Sequence, residues 1–418
     1  MAARLTAFAA AGLCMSLVAS AAQPALVRYA ASEAPAREAS DALTEAVDAV
    51  VDRALAEKRL VGAVVLVARD GQVVYRRAAG FADREEGRAM REDAIFRLAS
   101  VTKPIVTVAA FRLVEQGRLR LEEPVTKWLP QFRPRLPDGS APEITVHHLL
   151  THTSGLSYRF FEPPDSPYHR LNVSDGLDQP GLSLEENLRR LAAVPLLFRP
   201  GERWHYSLAT DVLGAVIAQA AGAPLPEVVR REVTGPLGMR DTSFVVTDRE
   251  RLVTPYFDAK PEPARMTGET VLPTGEDRGI RFAPGRVFDP DSYPSGGAGM
   301  VGTAGDILKL LEAIRTGGGI LQPQTVRRMT ADQVGVQAAT QGPGWGFAYG
   351  WAVLIDPETA GTPQTAGTIQ WGGAYGHYWF IDPERRLSVV ALTNVAFEGM
   401  SGAFTTQLRD AVYAALAR

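Results

Sequence analysis

Within "FRLASVTKPIV" (96–106), Ser100 and Lys103 stand three residues apart at the start of an apolar helical pattern. On a helix, positions i and i+3 share a face, so a lysine amine there can reach a serine hydroxyl. Unpaired N–H groups at a helix start also favour a negative charge forming nearby. Pro104 is compatible with this, because first-turn N–H groups have no partners within the helix. Two readings fit these residues. Either Ser100 simply begins a helix, or it is a nucleophile and Lys103 draws off its proton, which an amine does only in its neutral form. The pair is a weak signal on its own, although the chain holds only five lysines, at positions 58, 103, 127, 260 and 309.

Two further places could complete such chemistry. Tyr206, in "RPGERWHYSLATDVLG", stands just ahead of a helix expected from Leu208 to Ala221. It is either a phenol that shuttles a proton or a packing aromatic. In "IQWGGAYGHYWFIDP", Gly372-Gly373 ends a strand. The pair either lets backbone approach a ligand closely, presenting an N–H to an oxyanion, or marks a bulge in an edge strand.

Three other patterns fail their required context. Gly297-Ala298-Gly299-Met300-Val301-Gly302 has dinucleotide-loop spacing but no apolar strand before it. His148 and His152 have zinc-protease spacing, yet Leu149 occupies the position that needs a glutamate, so they read as structural. Ser401 in "GMSGA" lacks the strand–turn–helix setting of a nucleophile elbow. No cofactor and no metal are therefore expected.

The elements that must position Ser100 read as follows. "DALTEAVDAVVDRALAEKRL" (41–60) predicts an amphipathic helix, and two β-branched runs around Asp70-Gly71 predict a hairpin. Residues 100–300 alternate helical patterns with two long loops, 158–183 and 260–297, of the kind that form lids or are mobile. From Trp345 the strands return, and residues 402–418 form a last amphipathic helix. The expected fold class is α+β, with one sheet built from both chain ends, flanking helices and a mainly helical lobe. The α/β lobe spans about 41–99 and 300–418, and the helical lobe about 100–299.

Composition narrows the function. The chain has 418 residues, 46% hydrophobic and 22% charged, with a net charge of −3. This is the balance of a globular protein and offers no basic surface for nucleic acid. Residues 1–22, with Arg4, an apolar run and "ASAA", read as a signal peptide, and 23–40 as a flexible leader. The expected destination is therefore the bacterial periplasm or the medium, with no membrane partner once the signal is removed. The single cysteine, Cys14, lies in the signal, so thiol nucleophiles and thiolate metal sites are excluded from the mature chain. The oligomeric state stays open.

In this order, Ser-x-x-Lys after the first hairpin, a tyrosine motif and a Gly-Gly strand edge resemble the serine β-lactamase and penicillin-binding-protein superfamily. "ITVHHLLTHTSGL", "PLGMRDTSF" and "SGGAGMVGTAGDILKLL" are similar to its class C branch. "YSLATDVLG" and "WGGAYGHYWFIDP" are most similar to the family VIII carboxylesterases of the same fold. The resemblance implies Ser100 as nucleophile, with Lys103 and Tyr206 handling its proton. It also implies Trp371, Gly372 and Gly373 lining the site, and the N–H groups of Ser100 and Ala374 forming the oxyanion hole. Tyr158, Phe160 and Phe161 are expected to wall an acyl pocket. The sequence departs from the β-lactamase pattern at Leu208, where an asparagine is usual, and at Trp371, where a lysine is usual. An indole in place of a cation disfavours substrates bearing a carboxylate. The expected activity is hydrolysis of small uncharged esters through an acyl-enzyme. The alternatives are a β-lactamase or D-amino-acid peptidase, and a penicillin-recognising cell-wall binding protein without efficient turnover.

Overall fold

The computed structural model describes residues 28–29, 34–246 and 248–417. The segment read as a signal peptide lies outside them. The hairpin forms as the sequence predicts. Strand β2 (Gly62–Arg69) pairs antiparallel with β3 (Gln72–Asp83). Asp70 and Gly71 turn the chain at φ values of 55° and 79°, the left-handed conformation a two-residue hairpin turn requires.

The C-terminal part adds β4 (Trp345–Phe347), β5 (Ala352–Leu354), β6 (Ile369–Gly373), β7 (His377–Asp382) and β8 (Leu387–Thr393). With β1 (Arg28–Tyr29), the sheet order is β1-β3-β2-β8-β7-β6-β5-β4. Every pair along it is antiparallel except β1 with β3, which is parallel. The two chain ends meet at the β2–β8 pair, where Val65 faces Ala391 and Leu66 faces Val390.

Both central strands are buried along nearly their whole length because each face of the sheet is covered. Val65, Val67, Val389 and Ala391 pack with Leu43, Val47 and Val51 of α1 (Ala34–Ala56) and Phe404, Leu408 and Val412 of the terminal helix Ala403–Leu416. Val64, Leu66, Val390 and Leu392 point the other way, into the core shared with α2 (Thr102–Glu115), α3 (Ala209–Ala221) and α4 (Ala304–Thr316). The helix α1 starts at Ala34, so it takes in part of the stretch read as a flexible leader.

The two long loops also differ from their sequence reading. The first is packed rather than lid-like. Tyr158, Arg159, Phe160, Tyr168 and the run Val173–Asp178 are buried, and Arg159 Nη2 meets Asp178 Oδ2 at 2.6 Å in the interior. Burial pushes the neighbouring Asp175 carboxyl up to about 7. The second loop carries its own hairpin, Thr270–Pro273 with Gly279–Phe282. Among the described residues, no single helix is long and apolar enough to cross a membrane.

Candidate active site

Ser100 lies in a short 3-10 turn, Ala99–Val101, immediately ahead of α2. Ala99 has φ 44°, a strained conformation for a residue with a Cβ, held by the structure around it. Leu98 N–H donates to Met300 O at 2.8 Å, and Met300 N–H donates to Thr102 Oγ1 at 3.2 Å, so the 300 segment clamps the turn from outside. His377 on β7 clamps it from the sheet, donating from Nε2 to Arg97 O at 2.7 Å. Burial keeps that imidazole neutral, its pKa pushed down to about 4.

The three polar tips meet. Lys103 Nζ donates to Ser100 Oγ at 3.0 Å, and Tyr206 OH donates to the same oxygen at 2.7 Å. The i, i+3 spacing brings the lysine, as the sequence predicts. The tyrosine arrives from 106 residues away because α3, which follows it, packs against α2. Ser100 and Tyr206 are half-buried and open to a ligand, whereas Lys103 is fully buried. Lys103 Nζ lies 4.7 Å from the Tyr206 ring centroid and donates to Gly297 O at 2.8 Å. Gly297 thus belongs to the site through its backbone, although its glycine-rich segment was set aside as a failed dinucleotide loop.

Gly297 is glycine for a steric reason. A Cβ there would stand 2.6 Å from Asp211 Oδ2, 3.3 Å from Tyr158 OH and 3.5 Å from Lys103 Nζ. Asp211, on the first turn of α3, escaped the sequence reading because nothing in its local pattern separates it from an ordinary first-turn acid. Its carboxylate is buried, and no donor reaches it with good hydrogen-bond geometry, although the Ser295 hydroxyl, Lys103 and the Gly297 N–H lie close enough to favour its charge. Burial wins and pushes its pKa up to about 6. Burial, with Tyr206 and Asp211 beside it, also holds the Tyr158 phenol well above its ordinary range, so it stays neutral.

A stability test follows from Asp211. Its carboxyl is protonated in the folded protein up to about pH 6, against 3.8 unfolded, so the folded state binds the extra proton between these values. Its contribution therefore falls as pH rises through that window. Asp211→Asn removes the titration, and its Tm should gain on wild type from pH 4 to pH 7. A constant difference across that range would refute the assignment.

Aromatic rings wall the serine. Tyr206 packs against Trp371 (centroids 5.2 Å), His152 (4.9 Å) and Tyr158 (5.1 Å). Phe161 lies 6.5 Å from Tyr206 and is 38% exposed, so it stands at the rim. Phe160 stacks on Tyr158 and braces it from behind. Phe347 and Trp204 extend the wall, 5.5 Å from each other, with Phe347 also 5.5 Å from Trp371. Neither was singled out in the sequence, because an aromatic in a strand or loop reads as core. His152 Nδ1 accepts from Ser207 N–H at 3.2 Å, which leaves the proton on a buried Nε2. Burial and the Lys103 charge hold this imidazole neutral. His148 instead closes a capping box with Thr145, and the described residues hold no cluster suited to a metal.

At the end of β6, a Cβ on Gly373 would come within 2.4 Å of Leu98 O, so only glycine lets the strand lie against the turn that carries Ser100. The same contact brings the Gly373–Ala374 peptide beside that turn. Leu208, in place of an asparagine, is fully buried in the core.

A half-buried serine, hydrogen-bonded by an amine and a phenol where an antiparallel sheet meets a helical region, defines the active-site serine proteins of β-lactamase-like fold. The Beta-lactamase family model matches residues 47–414, and the chain belongs to that family. It is 59% identical over 374 residues to "Esterase EstB" of Burkholderia gladioli, covering 89% of this chain and 95% of that protein. It is 29% identical over 309 residues to a "Lovastatin esterase" of Penicillium rubens, covering 70% and 74% respectively. Among solved structures, one described as "EstCE1, a hydrolase with promiscuous acyltransferase activity" superposes with TM-score 0.88 at 52% identity. That match covers 90% of this chain and 99% of the other.

Proposed function

We propose that the protein is a serine carboxylesterase acting on small uncharged esters. The observation that carries this reading is the convergence of Lys103 Nζ and Tyr206 OH on Ser100 Oγ beneath a wall of aromatic rings. Ser100 Oγ attacks the ester carbonyl carbon, and its proton passes to the Lys103–Tyr206 pair, which takes it up with Lys103 in its neutral amine form. The C–O bond to the alcohol breaks, and the pair returns that proton to the leaving oxygen. Water then adds to the acyl-serine, its proton takes the same route back to Oγ, and the carboxylic acid leaves. The backbone N–H groups of Ser100 and Ala374 stabilise the oxyanion in both steps.

Two further observations support esters over lactam or peptide acids. Trp371 presents an indole where a cation would hold a substrate carboxylate. Desolvating an unpaired carboxylate costs on the order of several kcal/mol. The names of the similar proteins agree with this choice. The N-terminal pattern supports export of the mature chain. The test is a substrate panel. p-Nitrophenyl butyrate should be turned over with a kcat/KM at least about a hundredfold above that for nitrocefin or a D-Ala-D-Ala peptide, a gap of about 3 kcal/mol. Equal or better turnover of nitrocefin would make the protein a β-lactamase instead.

A further inference from the structure

A cavity of about 200 Å³ lies against the 298–301 segment, and neither Ser100, Lys103, Tyr206 nor Trp371 lines it. Three arginines do: Arg97, Arg249 and Arg286. Arg97 and Arg286 are each only 9% exposed. None of the three forms an ion pair among the described residues. Arg97 spends Nε on Pro284 O and Nη1 on Val253 O, and Arg286 spends Nε on Asp178 O and Nη2 on Tyr293 O. Arg97 Nη2 and Arg286 Nη1 meet no acceptor among the described residues and are not sealed from solvent. Two largely buried cations without a counter-ion among the described residues thus border one cavity, each with a donor left over for a ligand.

The rest of the lining says what kind of anion fits. Phe288 lies between two guanidinium groups, 4.6 Å from Arg249 and 5.8 Å from Arg97, and Leu177, Phe244 and Met300 add apolar surface. Asp289 is the one carboxylate on the wall, half-buried and already accepting from Asp291 N–H. Guanidinium forks match carboxylate geometry, and apolar walls match a hydrocarbon body. Tyr375, the residue after Ala374, also lines the cavity and is buried near Arg97 and Arg286.

We propose that this cavity is a binding site for a small organic carboxylate with an apolar body, held by Arg97 and Arg286 inside and by Arg249 at the rim. It stands independently of the esterase reading, although acids released by ester hydrolysis belong to the same ligand class.

Benzoate is the probe, titrated calorimetrically into wild type whose Ser100 has been blocked with a fluorophosphonate, or into Ser100→Ala if blocking fails. Saturable 1:1 binding is expected. Arg249→Gln, an exposed change at a side chain that braces no carbonyl, should weaken it about tenfold, and Arg286→Met by at least as much. Circular dichroism and Tm establish that each variant is folded. If Arg286→Met does not fold, Arg249→Gln alone decides. Inorganic phosphate should compete at least about tenfold more weakly, since it gains nothing from the apolar wall. Absence of benzoate binding, an unchanged Kd in Arg249→Gln, or phosphate competing as well as benzoate would overturn the proposal.

Discussion

Replacing Ser100 with alanine should lower kcat for p-nitrophenyl butyrate by about 10⁴- to 10⁶-fold and abolish covalent labelling by a fluorophosphonate. The size of the loss follows from the chemistry. Without Oγ there is no acyl-enzyme, and a lysine and a tyrosine poised on a missing oxygen have no nucleophile to serve. The fold should survive, because the hydroxyl is half-buried and its two hydrogen bonds contribute about 1 kcal/mol each. Steady-state kinetics with a Tm measurement separates the two effects. An alanine variant that keeps measurable burst kinetics would show that another residue carries the acyl group.

Lys103→Met should separate activity from stability more sharply. The amine is fully buried and donates only to neutral oxygens, Ser100 Oγ and Gly297 O. Methionine fills nearly the same volume, and volume-conserving replacements in a packed interior cost little. Asp211, deprived of the nearby positive charge, moves further toward its neutral form and softens any loss. The Tm is therefore expected to hold or rise while kcat falls by about 10³-fold, the scale of a lost proton-transfer group. A Tm drop beside an unchanged kcat would reverse the roles and make Lys103 a structural brace.

Much of the site was legible in the sequence because part of it is local. Ser100 and Lys103 are three residues apart across a 3-10 turn and the start of α2, so their meeting depends on local backbone geometry. Asp70-Gly71 fixes its turn through backbone conformation, and the paired β-branched runs on either side fix the hairpin. Gly373 was visible as an unusual strand glycine, though its reason, the Leu98 carbonyl against its Cα, was not. Tyr206 could be suspected from its place ahead of a helix and from family resemblance, but its reach to Ser100 could not be read from spacing.

What the sequence determined by itself is therefore the set of short-range relations: the Ser-x-x-Lys spacing, the hairpin and the strand runs from Trp345 onward, with the indole of Trp371 in place of a cation legible only through the family resemblance. Only the tertiary structure decided that Gly297 O anchors Lys103, that Asp211 lies buried beside it, that Trp204 and Phe347 extend the wall, and that three distant arginines share one cavity. The physical reason is the range of the interactions. Helix and turn geometry act over a few residues and leave a pattern in the order of side chains. The Lys103–Gly297 contact joins residues 194 positions apart and is set by how the core closes. No local arrangement of side chains encodes that.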